Sequence, residues 1–414
     1  MEKETRVVIK NIIYLLSTRG LTYVFPLLIL GHLVKTLNAD GFGHYAIIFS
    51  LTTYAQAIAD YGFSLTSSRE ISKNIEKKEK VAEIYLETTT LKLLITLAIY
   101  PIYYCFCKLY FKDENIFISS QYAYTLTISG AFLPIWFFQG VEYLKIPAIM
   151  NLVGKAISLC LIFVFVKTES DLTASILSQS IPALLVAIYC NFFIFNKYIF
   201  IPIKIKKSNL WESLKDGWSI FVSSMSSIIL TNSAVLILGV FATTEVVGIY
   251  AAAERLAKAI TSVFSPITQA IYPYNCRSFS RSKAEGLRSV RKTGWPTIAL
   301  AFLCTILILI CSGYLTTLIN FNDNSVFILK IFSLWLLLGV INNVLGIQIL
   351  CASSENKIYA RSFLISAILS LLLMFMLCPV IYGVGAALSV TIGEFVLTIL
   401  MYQYIRRKYV VSHS

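Results

Sequence analysis

Charge is scarce in this chain. Only 14% of its 414 residues are Asp, Glu, Lys or Arg, against about 25% in ordinary soluble domains. With 57% hydrophobic residues and a mean hydropathy of +0.74, it lacks the polar material to cover a water-facing surface. A soluble globular class is excluded. No G-x-x-x-x-G-K-[ST] stretch occurs, which argues against direct ATP use. No G-x-x-x-G occurs, so no helix-dimerisation motif of that type is present. The nine cysteines include no C-x-x-C pair, only CFC at 105–107. Most fall in apolar runs, where small buried hydrophobes are expected rather than a metal site or a disulfide. MEKETRVVIK is a basic start, but the apolar run after it holds Arg19 and Pro26 and no small-residue cleavage site. No cleavable signal peptide is expected.

Long apolar runs are what the chain does have. TIALAFLCTILILICSGYL (297–315) and FLISAILSLLLMFMLCPVIYG (363–383) are typical, each long enough to cross a hydrocarbon core of about 30 Å. About twelve spans are expected, at 10–34, 43–66, 83–107, 117–139, 148–166, 173–196, 217–241, 247–274, 295–319, 325–350, 361–381 and 384–405. The expected class is an all-α polytopic membrane protein, since β-barrel strands give a far weaker hydropathy signal. The net charge of +13 follows the topology. On alternate sides of these spans, 25 of the 35 Lys and Arg fall on one side, and only Lys35, Lys108, Lys112 and Lys167 on the other. Positive-inside bias then places both termini in the cytoplasm. A nucleic-acid partner is not expected; the basic loops are suited to anionic membrane lipids.

The loop 196–217 follows six spans and predicts a division into an N-terminal six-helix bundle (1–200), a cytoplasmic linker (201–216) and a C-terminal six-helix bundle (217–414). A faint internal echo supports two halves: FGHYA (42–46) opens span 2 as VGIYA (247–251) opens span 8, and Gln139 and Gln348 end spans 4 and 10. With an even number of spans per half, such repeats run parallel, and a site is expected at their interface. The outward loops are short, leaving no room for the loop-borne catalytic groups of a glycan-processing enzyme. No catalytic residues are expected.

Ionisable side chains within spans cost roughly 2.5–3.5 kcal/mol each on insertion scales and normally face protein or water. The chain carries Arg19, Asp60, Glu87, Lys92, Lys155, Glu254, Arg255, Lys258, Lys330 and Glu394 in such positions. Several share polar faces: Thr53, Gln56 and Asp60; Asn151, Lys155 and Ser158; Glu254, Lys258, Thr261 and Ser265. Glu254 and Lys258, four residues apart, either neutralise each other or face a substrate. Lys330 and Glu87 lie near span ends, where snorkelling explains them. Arg255 lies about 100° round the helix from Glu254, and no acid lies one turn from Arg19. The spans lean positive, which favours an anionic substrate, and guanidinium forks suit phosphate. The substrate-binding candidates are Arg19, Lys155, Arg255 and Lys258. Asp60, Glu254, Glu394 and the kink-forming Pro26 are the candidates for coupling or gating, with Pro266 a second possible hinge.

YVFPLLILGHLVKTLNADGFGHYA (23–46), DYGFSLTSSREIS (60–72) and LPIWFFQGVE (133–142) together resemble the O-antigen flippase family of the Wzx type. VGIYAAAERLAKAI with PITQAIYP (247–273) and YGVGAALSVTIGEF (382–395) extend the likeness over almost the whole chain. This family is the polysaccharide branch of the MOP superfamily, which also holds the MATE drug exporters and the lipid II flippase. The resemblance implies twelve helices in two six-helix bundles. It implies an undecaprenyl-diphosphate-linked oligosaccharide as substrate, turned from the cytoplasmic to the periplasmic leaflet of a bacterial inner membrane. It also implies a cationic lumen for the diphosphate, with Arg19 and Arg255 on spans 1 and 8. Gln56, Asn151, Trp136 and Gln139 are the sugar-facing guesses. No cofactor or metal is expected; coupling to a proton or cation gradient is compatible, and polymerase and chain-length proteins of the pathway are the expected partners. A cation-coupled exporter of the same fold, or a polysaccharide polymerase, remains the alternative.

Overall fold

A computed structural model of the protein describes the backbone of residues 2–198, 207–318 and 323–410; in the first helix the side chains are described from residue 25 onward. The first long helix, α1 (Glu2–Asp60), covers the first two expected spans and breaks between them at Asn38, where φ is 56° and ψ −179°. The backbone stays helical through Pro26, whose side chain is exposed. The turn in this helix therefore belongs to Asn38, a residue type that tolerates positive φ. The chain turns again at Tyr61 (φ 48°) and Gly62 (φ 81°) before α2 (Phe63–Lys73). Gly62 is needed twice over, because a Cβ there would sit 2.8 Å from Ile220 Cγ2.

Next come α3 (Lys78–Tyr110), α4 (Glu114–Phe132), α5 (Ile135–Gly140), α6 (Lys145–Phe165) and α7 (Leu172–Tyr198). Asp113 starts α4 by accepting from the N–H groups of Asn115 (2.8 Å) and Ile116 (3.2 Å), which a helix start leaves without intrahelical partners. Pro134 separates α4 from α5, so the fourth expected span is two pieces. The second half is α8 (Lys207–Asn232), α9 (Ala234–Phe241), α10 (Thr244–Ser262), α11 (Phe264–Arg281), α12 (Lys283–Leu318), α13 (Asp323–Asn342), a π-helical run Asn343–Cys351, and α14 (Asn356–Ile405). Helix α14 folds at Ile381 and Tyr382 and so supplies the last two spans. Residues 199–206, which include the first part of the expected linker (201–216), lie outside the described residues, and from Lys207 the chain is already helical.

Among the described residues, six stretches are each long and apolar enough to cross a membrane: Lys78–Tyr110, Lys145–Phe165, Leu172–Tyr198, Lys283–Tyr314, Val326–Cys351 and Asn356–Lys408. The remaining spans are interrupted or carry charge, as α10 does with Glu254, Arg255 and Lys258. Leu97, Ile102, Leu109, Phe192, Ile310, Met376 and Val380 are exposed, as lipid-facing side chains should be.

By internal packing the chain divides into residues 36–236 and residues 1–35 with 237–414. In the first unit α7 packs against α4 and α6, and α2 against α5. The α2–α5 approach is close: a Cβ on Gly140 would lie 2.7 Å from Ile71 Cβ and 2.9 Å from Ser68 O. Around it Ile71, Tyr85, Trp136, Phe137 and Phe138 form a buried core. In the second unit α13 packs against α10, α12 and α14, with Val290, Leu350, Leu397 and Met401 in its core. Tyr45 and Tyr250, the matching tyrosines of the internal echo, are both buried. Gln139 and Gln348 are not equivalent, the first being exposed and the second buried.

Outside the membrane segments, Asp171 ties the turn between α6 and α7. Its carboxylate accepts from Lys167 N (2.9 Å), Thr168 N (2.8 Å) and Thr168 Oγ1 (2.9 Å). The Lys167 N–H first, then the Thr168 donors, hold its pKa below the ordinary 3.8. A depressed carboxyl stabilises the fold above its unfolded pKa and loses that contribution as pH falls through the folded value. Melting temperatures recorded on either side of about pH 3.8 should therefore fall more steeply for the wild type than for Asp171→Asn.

Candidate functional site

Three polar constellations sit among the apolar spans. In the unit 36–236, Asp60 at the end of α1 pairs with Lys92 on α3, with Nζ–Oδ1 2.7 Å. Ser64 Oγ donates to the same carboxylate oxygen at 2.5 Å. The Lys92 side chain is only 4% exposed and its ammonium lies 5.9 Å from the Trp136 ring centre, whereas Asp60 is 34% exposed. Lys92 thus joins the aromatic core to the helix end. A cavity of about 220 Å3 in this unit mixes acids and bases, among them Arg69, Glu70, Lys80 and Glu87.

In the unit containing 237–414, α10 presents the polar face read from the sequence. Glu254 is buried and pairs with Lys258 at 2.9 Å, so the i, i+4 spacing does produce an ion pair. Beyond the pair lies a cavity of about 300 Å3, lined by Lys258, Thr261, Ser265, Thr268, Trp335 and Asn343 among others. Two of its polar atoms, Trp335 Nε1 and Asn343 Oδ1, are buried with no hydrogen-bond partner among the described residues. Arg255 is half-buried on α10, off the face of the pair.

The third constellation closes the end of α13. Asn342 Nδ2 donates to Glu394 Oε2 (2.5 Å) and Glu394 O (2.9 Å), while Thr398 Oγ1 donates to Asn342 Oδ1 (2.7 Å). One turn on, the π-helical run places Gln348 inside a buried network. Asn275 Nδ2 donates to Gln348 Oε1 (2.9 Å), Ser289 Oγ donates to Asn275 Oδ1 (2.5 Å), and Gln348 Nε2 donates to Thr268 O (3.0 Å).

Of the residues singled out from sequence, Glu254, Lys258, Thr261 and Ser265 are brought together. Asp60 and Lys155 belong to the other unit, where Lys155 is half-buried on α6. Arg19 lies outside the described side chains. Lys330 is exposed on α13. Trp136, grouped with sugar-facing residues, is instead 2% exposed and stacked on Tyr85 in the core. Gln56 donates to Leu126 O at 2.8 Å. The partners that sequence reasoning missed are Lys92 for Asp60, Asn342 for Glu394, and Trp335 and Asn343 for the α10 face. Each is contributed by a helix distant in the chain.

The polysaccharide biosynthesis protein family matches residues 8–279 of this chain. Over 403 residues the chain is 28% identical to the "Putative O-antigen transporter" of Escherichia coli strain K12, with 96% of each covered. Two solved structures share the fold. An inward-facing multidrug resistance MATE family transporter of the MOP superfamily superposes with a TM-score of 0.76 at 14% identity, covering 93% of this chain and 94% of its own. The lipid II flippase MurJ, in an inward closed conformation, gives 0.74 at 13% identity, covering 94% of this chain and 87% of its own. The all-α, about twelve-helix membrane architecture read from the sequence is thus the MATE-like fold. With about two thirds of its length matched by that family's model, the chain belongs to the polysaccharide biosynthesis protein family.

Proposed function

We propose that the protein is a flippase. It carries undecaprenyl-diphosphate-linked O-antigen repeat units from the cytoplasmic to the periplasmic leaflet of a bacterial inner membrane, by alternating access and without a chemical step. The observation that carries this reading is the polar face of α10 opening on a cavity of ligand size, in a chain of this family. A membrane span keeps Lys258 and Thr261 on α10, and Ser265 at the start of α11, only where they meet something other than lipid. Arg255 is assigned to the diphosphate, with Arg19 and Lys155 as further cationic contacts. Both termini face the cytoplasm in this reading, which matches the excess of basic loops on that side. A proton or cation gradient, or the membrane potential at about 2.3 kcal/mol per charge per 100 mV, drives the cycle. Polymerase and chain-length proteins take the product.

Deleting the gene tests this directly. Lipid-linked repeat units should accumulate on the cytoplasmic leaflet. Single units stranded on the outer leaflet would identify a polymerase, and normal glycan with altered drug tolerance an exporter. In the restored strain, Arg255→Ala should lower surface glycan about ten-fold or more at unchanged protein level, the scale of one lost charge-assisted hydrogen bond. Wild-type glycan in that variant would remove Arg255 from the pathway.

A further inference from the structure

The cavity beside Lys258 has hydroxyl groups whose protons are already committed. Thr261 Oγ1 donates to Ala257 O (2.8 Å), Ser262 Oγ to Ala259 O (2.6 Å) and Thr268 Oγ1 to Ser265 O (3.0 Å). All three hydroxyls belong to cavity-lining residues. Each has only lone pairs left for a ligand. Asn343 Oδ1, buried and without a partner among the described residues, is a fourth acceptor. The donors are fewer. Trp335 Nε1, equally buried and partnerless among the described residues, can only donate. Lys258 shares its ammonium with Glu254 at 2.9 Å. Ser265 Oγ accepts from Gln269 Nε2 at 3.0 Å and keeps its own proton to give.

A diphosphate oxygen accepts and does not donate. In this cavity it would satisfy Trp335, Lys258 and Ser265, yet face four acceptors and leave Asn343 Oδ1 desolvated and unpaired, which costs roughly 5- to 150-fold in affinity for a buried polar atom. A sugar ring matches both sets. Its hydroxyls donate to the lone pairs and accept from the indole, and its C–H face lies against an aromatic ring. Phe264 and Trp335 supply such rings in the cavity wall. The volume of about 300 Å3 is at the small end of ligand sites, enough for a single ring-sized group.

The geometry points to this cavity as a subsite for one sugar ring of the lipid-linked oligosaccharide, not for its diphosphate. The assignment rests on the flippase reading and narrows it: Lys258, paired with Glu254, serves sugar hydroxyls, and the phosphate contacts lie elsewhere.

The test measures Kd for the purified protein in nanodiscs with two probes. One is the lipid-linked oligosaccharide extracted from the deletion strain; the other is undecaprenyl diphosphate without sugar. Trp335→Phe keeps the ring and removes the donor; Asn343→Leu removes the partnerless acceptor; Thr261→Val keeps the shape and removes a lone-pair acceptor. Each should weaken binding of the glycosylated lipid about five-fold or more and leave the bare diphosphate lipid unchanged. Thr261→Val, the mildest change, provides the answer if the others do not elute as single species. Equal loss for both lipids, or no loss in any variant that elutes normally, overturns the sugar subsite and leaves the flippase reading standing. A wild-type protein that binds neither lipid overturns both.

Discussion

Asp60→Asn should destabilise the protein by about 3–5 kcal/mol, the scale for stranding a buried charge. The reason is its partner: Lys92 is 4% exposed, so its ammonium cannot recover water when the carboxylate is removed. The reverse change, Lys92→Met, should be milder, because Asp60 is 34% exposed and can rehydrate. Removing both charges together should restore most of the loss, since a buried ion pair contributes little over an apolar pair of similar size. Thermal unfolding of the four proteins, followed by size-exclusion in detergent, completes the cycle. Two single variants as stable as the wild type would show that the pair does not hold α1 to α3. The same set separates structure from coupling. If the stable double variant still exports glycan, Asp60 carries no driving proton; if it folds and fails to export, the charged pair itself is needed.

Asn275→Leu is the second large effect. Asn275 is fully buried and joins three helical stretches, through Ser289 on α12 and Gln348 in the π-helical run. Leucine fills the space but leaves Gln348 Oε1 without its donor and Ser289 Oγ without its acceptor. At about 1–3 kcal/mol for each stranded group, the change should cost roughly 2–6 kcal/mol. Amide hydrogen exchange locates the damage: protection should fall first across 343–351, where Gln348 is anchored, before global unfolding. Unchanged protection there would mean that the network is not what holds the run in place.

How much of this was legible in the sequence depends on distance along the chain. The twelve spans were, because hydropathy is a local property and each span carries its own signal. The Glu254–Lys258 pair was too, since helix geometry alone brings positions four apart together. The pairing of Asp60 with Lys92 was not: 32 residues separate them, and no local pattern links the end of one helix to the middle of another. Asn275 fell just past the expected end of span 8, at 274, yet α11 runs on to Arg281 and buries it. The cavity shows the same limit. Thr261 and Ser265 could be placed on a face, but Trp335 and Asn343 come from α13 and the run after it, and nothing local marks them as the facing wall. The connection between the first two spans was expected within 35–42, and Asn38 makes the turn there through its positive φ.

The π-helical run Asn343–Cys351 holds chain in reserve. A π turn takes up more residues than an α turn for the same advance along the axis. Nine residues wound this way are therefore slack stored at the end of a span, which closes at Cys351. Taken up into ordinary α winding, that slack would lengthen the rod and swing Gln348 away from Asn275, with no covalent rearrangement. A rod that can change its length at one end is a means of shifting a load, and here the stored length begins at the wall of the cavity.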